Sequence, residues 1–180
     1  MEVVLIQGEE NTGKTTLCKK IEKILKNSNF ELERKELREV ENNSERDFRA
    51  IYVHKECKTR IIINSGADLI TIINRFNDFY NNNKRGGYDI LITAIRPTGT
   101  IINKHDVYNG IKDVYKSDFK GKEYVIDLDD ERNKEENVDL DFCEFIKKVL
   151  EERGGEILKK IKTKLKCEIE ININCPQSKK

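Results

Sequence analysis

The stretch Val3-Val4-Leu5-Ile6-Gln7-Gly8-Glu9-Glu10-Asn11-Thr12-Gly13-Lys14-Thr15-Thr16-Leu17 decides how the rest of the chain is read. Its apolar run from Val3 to Ile6 has the pattern of a central parallel strand buried on both faces. Gly8 stops the run. Beyond the glycines, Leu17, Ile21, Ile24 and Leu25 recur at helical spacing until Asn27-Ser28-Asn29 closes the segment. Strand, loop and helix therefore follow one another near the N-terminus.

Outward from this unit, Phe30 to Asp47 is mostly charged and weakly periodic, which predicts an edge strand around Phe30 to Leu32 and then a mobile connection with few core contacts. Arg49 to Val53 and Arg60 to Ile63 flank the polar tip His54 to Thr59, the pattern of an antiparallel hairpin. Asn64-Ser65-Gly66-Ala67-Asp68 ends the second strand with residues that stop strands or cap helices. A helix follows, with Leu69, Ile70, Ile72, Ile73, Phe76, Phe79 and Tyr80 on its apolar side. Asn81 to Gly87 breaks it. Tyr88 to Ile95 reads as another buried strand, ended by Arg96-Pro97-Thr98-Gly99. Val107, Tyr108, Ile111, Val114 and Tyr115 mark a further helix, and Glu123 to Leu128 a further strand. The charge run from Asp129 to Asn137 reads as a solvated loop. Helices over Leu140 to Leu150 and Ile157 to Leu165, and a last strand over Ile169 to Ile173, complete the pattern. This alternation predicts one α/β domain over residues 1–180, with three layers and a mostly parallel sheet carrying an antiparallel hairpin at about 49–64.

A length of 180 residues and a mass of 21.1 kDa suit one domain with a proper core. Lys and Arg number 34 against 33 Asp and Glu, a formal net charge of +1, which disfavours a dedicated nucleic-acid binder. The Tyr and Phe residues fall mainly at core spacing rather than on a base-stacking face. Cysteines at 18, 57, 143, 167 and 175 fit neither a zinc ribbon nor a CxxC pair, and read as reduced cytosolic thiols. No apolar stretch approaches the roughly 20 residues of a bilayer-spanning helix. A soluble cytoplasmic protein without a membrane partner is expected. The 24 Lys, 23 Ile and 17 Asn point to an AT-rich bacterial genome.

Gly8 to Thr15 matches G-x-x-x-x-G-K-[ST] without a gap, between an apolar strand and an amphipathic helix. That context suits a tight turn whose backbone N–H groups and following helix N-terminus converge on a phosphate. The loop thus resembles that of P-loop NTPases over roughly residues 1–26. The resemblance implies binding of a nucleoside triphosphate with Mg²⁺ by Gly8, Glu9, Glu10, Asn11, Thr12, Gly13, Lys14, Thr15 and Thr16. Lys14 would reach the β- and γ-phosphates, Thr15 would hold Mg²⁺, and Thr16 would add an α-phosphate contact.

Residues 49–95 also follow the order of GTPase-like proteins, in which a hairpin strand ends at the γ-phosphate and is followed by a helix and another strand. Asn64 stands where that likeness implies an acid, so Asp68 becomes the substitute Mg²⁺ or water ligand, or else a plain helix N-cap. The strand ending Thr93-Ala94-Ile95-Arg96 lacks the N-K-x-D that reads guanine, which favours ATP over GTP. Residues 30–50 contain no threonine to serve as a metal-binding switch. Ser65 and Asp68, with Asp89, Ile90, Ile92, Ala94, Arg96 and Gly99, resemble a group of small bacterial P-loop proteins whose strands end S-x-G-D and D-I-I-I-x-A-x-R-x-x-G; Ala67 departs from the first pattern. Arg96 ends a strand where ligands bind in open α/β sheets, so it would hold a phosphate or form a surface salt bridge. Lys84-Arg85-Gly86-Gly87 reads as a solvated turn or a lid, and His54 and His105 have no metal-ligand partners nearby in sequence.

These readings lead to an ATP-binding enzyme that hydrolyses or transfers the γ-phosphate, with Lys14, Asp68 and Arg96 as catalytic candidates and Thr15 and Asp68 as metal ligands. A small-molecule or nucleotide kinase with its own phosphate acceptor is the nearest alternative. A nucleotide-sensing module, in which ATP orders residues 33–47 and 64–68 for a protein partner, is the alternative from another class.

Overall fold

The apolar runs become, in chain order, β1 (Glu2–Gln7), α1 (Lys14–Asn27), β2 (Phe30–Leu37), β3 (Phe48–His54), β4 (Arg60–Asn64), α2 (Ile70–Asn82), β5 (Ile90–Ile95), β6 (Ile101–Ile102), β7 (His105–Asp106), α3 (Val107–Tyr115) and β8 (Glu123–Asp127). This computed structural model describes residues 1–37, 47–56 and 58–129. The helices expected over 140–150 and 157–165, the strand over 169–173, the charge run beyond Asp129 and the connection at 38–46 lie outside the described residues.

The fold is mixed α/β. Its main sheet has the order β2-β3-β4-β5-β1-β8, with β4, β5, β1 and β8 parallel and both β2 and β4 antiparallel to β3. Strand β1 pairs on both sides, so its backbone donors and acceptors are satisfied without water. Val3, Val4, Leu5 and Ile6 are all buried, as the continuous apolar run requires. The hairpin expected at about 49–64 is present as β3 and β4.

Side chains alternate across the sheet, so each strand feeds two cores. On one face Val3, Leu5, Ile51, Ile62 and Leu91 pack with Phe76, Phe79 and Tyr80 of α2 and Val107, Ile111 and Tyr115 of α3. Tyr52 points the other way, where its hydroxyl donates to Glu22 of α1. Burial of Leu17, Cys18, Ile21 and Leu25 gives α1 its inward side. At about 1.5–3 kcal/mol for each large apolar side chain withdrawn from water, these stripes hold the helices to the sheet. Burial also pushes the Cys18 thiol well up, leaving it protonated and chemically quiet.

Three local expectations need correction. The edge strand does not stop near Leu32: β2 runs to Leu37 and pairs along β3, with its register shifted between Leu32 and Arg34. Its charged residues suit an edge, because exposed charge discourages pairing with another chain. Lys35 nevertheless makes core-side contacts, lying 4.4 Å from the Phe48 ring centroid and 2.6 Å from Glu22 Oε1. The GTPase-like order does not carry over into space, since β5 lies between β1 and β4. A small antiparallel pair, β6 with β7, also precedes α3; its turn places Asn103 and Lys104 at positive φ, for which the sequence offered no glycine as a signal.

Glu22 links α1 to β2 and β3. Burial, the largest single influence, would raise its carboxyl pKa, but hydrogen bonds from Lys35 and Tyr52 together with the charges of Lys35 and Lys26 hold it below the ordinary value. A lowered folded-state pKa contributes stability above the unfolded value of 4.5, which is lost as pH falls through the folded value. Glu22→Gln should therefore cost about 1–3 kcal/mol at pH 7 and show a shallower loss of stability on acidification, measured by urea unfolding across pH 3–7.

Candidate functional site

The parallel register gathers distant segments at one edge of the sheet. Gln7 aligns with Ile95 and Asp127, and Asn64 with Thr93, so the chain leaves β1, β4, β5 and β8 on the same side. Because β3 is antiparallel, its start at Asp47-Phe48 reaches this edge too. The turn after β1 leads into α1, while the turn after β5 leads toward α3 on the opposite face. Open α/β sheets place ligand crevices where successive connections diverge in this way.

Gly13 has φ +92°, a left-handed conformation that a Cβ would strain, and it delivers the chain directly into α1 at Lys14. No side chain caps α1 and no acidic residue occupies its first turn. The first-turn N–H groups consequently lack intrahelical acceptors and carry the positive end of the helix dipole. Lys14 is buried and its Nζ donates to the carbonyls of Gly8, at 2.8 Å, and Glu9. Burial lowers its pKa, Asp68 opposes that shift, Arg96 adds to it, and Asp129 and Glu9 oppose it. Thr12 Oγ1 donates to Glu9 O, and Glu9 N donates to Asp129 Oδ2, so the loop is tied both to itself and to the chain after β8.

Thr15 Oγ1 donates to Asp47 Oδ1 at 3.0 Å and to the Ser65 carbonyl at 3.3 Å. Asp47 is the residue that sequence reading missed. It stood at the end of a charged segment without periodicity, and only the pairing of β3 with β4 carries it to Thr15. Gly66 permits that approach, since a Cβ there would lie 2.9 Å from Asp47 Oδ2. Among the described residues no group of three or more His, Cys, Asp or Glu can hold a metal by itself. Thr15 and Asp47 are instead two hard oxygen donors, the kind of incomplete set that Mg²⁺ completes with water and phosphate oxygens.

Asp68 and Arg96, two of the catalytic candidates, come together as an ion pair. Arg96 Nε donates to Asp68 Oδ1 at 2.7 Å, Nη1 to Glu9 Oε2 at 3.3 Å, and Nη2 lies 3.6 Å from Glu10 Oε2. Arg96 is only 4% exposed, so the pairing is a buried cation gripped by carboxylates rather than a surface salt bridge. Asp68 is not the cap of α2 either: Leu69 occupies that position without a side-chain cap bond. Asn64, in the place of the implied acid, is fully buried and donates to Gly66 O and Thr93 Oγ1, which fixes the turn from β4 toward α2. Asn11, at φ +64°, contributes to the tight loop. His54 is buried edge-on against Phe30 and its Nδ1 accepts from Glu56 N, a role in the β3 to β4 turn. No helix of the described residues is long and apolar enough to cross a membrane.

The sequence matches no family model, and comparison with the curated proteins and with the solved structures gives no match.

The Arg96 grouping makes a direct stability claim. Arg96→Ala leaves Asp68, Glu9 and Glu10 clustered without their cation and should cost about 1–3 kcal/mol in urea unfolding. A surface pair would contribute about 0–1 kcal/mol; a loss under 0.5 kcal/mol would assign Arg96 to that weaker class.

Proposed function

We propose that the chain is a P-loop NTPase of three-layer α/β build that binds ATP with Mg²⁺ and hydrolyses or transfers its γ-phosphate. The observation that carries this reading is the convergence at one point of an uncapped helix N-terminus, a buried Lys14 bonded only to loop carbonyls by its described contacts, and the Thr15 hydroxyl against the Asp47 carboxylate. Each has the chemistry that a Mg²⁺-bound triphosphate requires: backbone donors for phosphate oxygens, a cation for the β- and γ-phosphates, and oxygen donors for the metal.

In this mechanism Lys14 exchanges its carbonyl acceptors for phosphate oxygens, which are stronger partners because they carry charge. Phosphate nearby also favours the ammonium form that burial disfavours. Thr15 and Asp47 hold the metal side of the nucleotide. Mg²⁺ held by Thr15 and Asp47 would supply positive charge to offset that of the triphosphate. Asp68 and the two loop glutamates hold Arg96, and Arg96 in turn fixes the loop, so these residues act by positioning.

ATP with Mg²⁺ at about 100 times its Kd should stabilise the chain by about 2.7 kcal/mol, a rise in Tm of about 5–10 °C for a domain of this size. Lys14→Ala should remove most of that rise while the unliganded Tm stays near the parent value. Equal rises in parent and variant would sink the assignment. Asp47→Asn should weaken the Mg²⁺ dependence of the rise more than Asp68→Asn does, measured by titrating Mg²⁺ at fixed ATP.

Base selectivity is a separate expectation. No N-K-x-D follows β5, where Arg96-Pro97-Thr98-Gly99 stands instead. ATP should accordingly displace a labelled ATP analogue at least as well as GTP does; a tenfold advantage for GTP would contradict it.

A further inference from the structure

A cavity of about 440 Å³ opens between the end of β2, the start of β3 and α2, lined by Arg34, Glu36, Arg49, Arg75, Asp78 and Asn82 among others. Its volume is that of a small-molecule site. Among the described residues, three guanidiniums and two carboxylates line it. Glu36 is shared: this one carboxylate lies 3.4 Å from Arg34 Nη2 and 3.8 Å from Arg49 Nε.

Arg49 is the group that most needs a further partner. Its side chain is 6% exposed, and its Nε is buried with no hydrogen bond, the 3.8 Å approach of Glu36 being too long for one. A buried donor left unbonded costs about 1–3 kcal/mol, more when charged. Burial lowers the Arg49 pKa, Glu36 and Asp47 oppose the shift, and Arg75 adds to it by repulsion. The guanidinium stays protonated at neutral pH regardless. Arg49 and Arg75 both line the cavity and repel one another, a repulsion that an oxyanion bound there relieves.

The pocket also has a position that matters. Leu37 aligns with Phe48 and Arg49 with Asn64, so it borders the same sheet edge as the Lys14 loop. Asp47, two residues before Arg49, carries the carboxylate that the Thr15 hydroxyl bonds.

We propose that the cavity between β2, β3 and α2 is a second ligand site that holds the phosphate group of a phosphomonoester through Arg34, Arg49 and Arg75. Guanidinium forks match phosphate oxygens in pairs, which a carboxylate offers only once. Asp78 and Asn82 supply hydrogen-bonding groups for hydroxyls on the rest of the molecule. Phosphate binding here does not depend on the nucleotide reading above.

The test uses glycerol 3-phosphate as the probe, titrated by calorimetry into the full chain, with glycerol and succinate as comparators. Lys14→Ala removes the loop lysine, so phosphate captured by the loop is separated from phosphate captured by the pocket. The expected result is binding of glycerol 3-phosphate to parent and to Lys14→Ala with Kd values within twofold, no binding of glycerol, and succinate at least tenfold weaker. Arg75 is exposed and Arg34 more than half exposed, so Arg75→Ala and Arg34→Ala should fold normally. Arg75→Ala should weaken the probe at least tenfold, Arg75→Lys less, and neither should alter the rise in Tm produced by ATP with Mg²⁺. Loss of probe binding in Lys14→Ala with retention in Arg75→Ala would overturn the pocket, as would succinate binding as tightly as the phosphate. Failure of ATP to stabilise the chain, with probe binding still dependent on Arg75, would overturn the nucleotide reading and leave the pocket standing.

Discussion

Strand β1 is paired in parallel on both sides and buried on both faces, and most of the described architecture follows from satisfying it. Parallel neighbours need crossovers, and crossovers on a sheet covered from both sides must diverge. The first passes through α1, while the chain after β5 turns toward α3 on the other face. Their starting points therefore lie side by side at one edge. The short turn after β1 leaves Lys14 and Thr15 in the first turn of α1, with Asp47, Ser65, Asp68, Arg96 and Asp129 brought to the same edge by strands that begin or end there.

That concentration of charge sets a second constraint. Asp68, Glu9 and Glu10 converge on Arg96, which is buried, while Lys14 is buried close by and feels both the carboxylates and the guanidinium. A buried cation persists only with partners. Here the partners come from the loop after β1 and the segment before α2, so one side chain at the end of β5 ties three connections together. The same principle, applied to Arg49, identifies a cation whose partners are incomplete and whose cavity suits a phosphate.

Much of the fold was legible because burial leaves a strong pattern. The continuous apolar run at Val3 to Ile6, the hairpin around His54 to Thr59, and the helical spacing of Ile72, Ile73, Phe76, Phe79 and Tyr80 each have one dominant physical reading. Strand β2 was legible only in part, because an edge strand bears charged residues on exposed positions and loses the alternation that marks a half-buried strand. Phe30 and Leu32 announced its beginning. Glu33 to Leu37 were assigned by pairing with β3, which no local pattern records.

The Gly8 to Thr15 loop was determined by the sequence itself, since glycine at left-handed φ, a lysine at the head of a helix and the apolar strand before them are local conditions that neighbouring residues meet on their own. The partners of that loop were decided by tertiary structure. Asn64 occupied the expected acidic position and turned out to brace Gly66 and Thr93, whereas Asp47, hidden in a segment without periodicity, reached Thr15. Asp68 went to Arg96 and not to the head of α2. Such choices depend on strand order and register: inserting β5 between β1 and β4 changes which residue faces which across the edge, and side chains separated by tens of residues meet only after the sheet has formed.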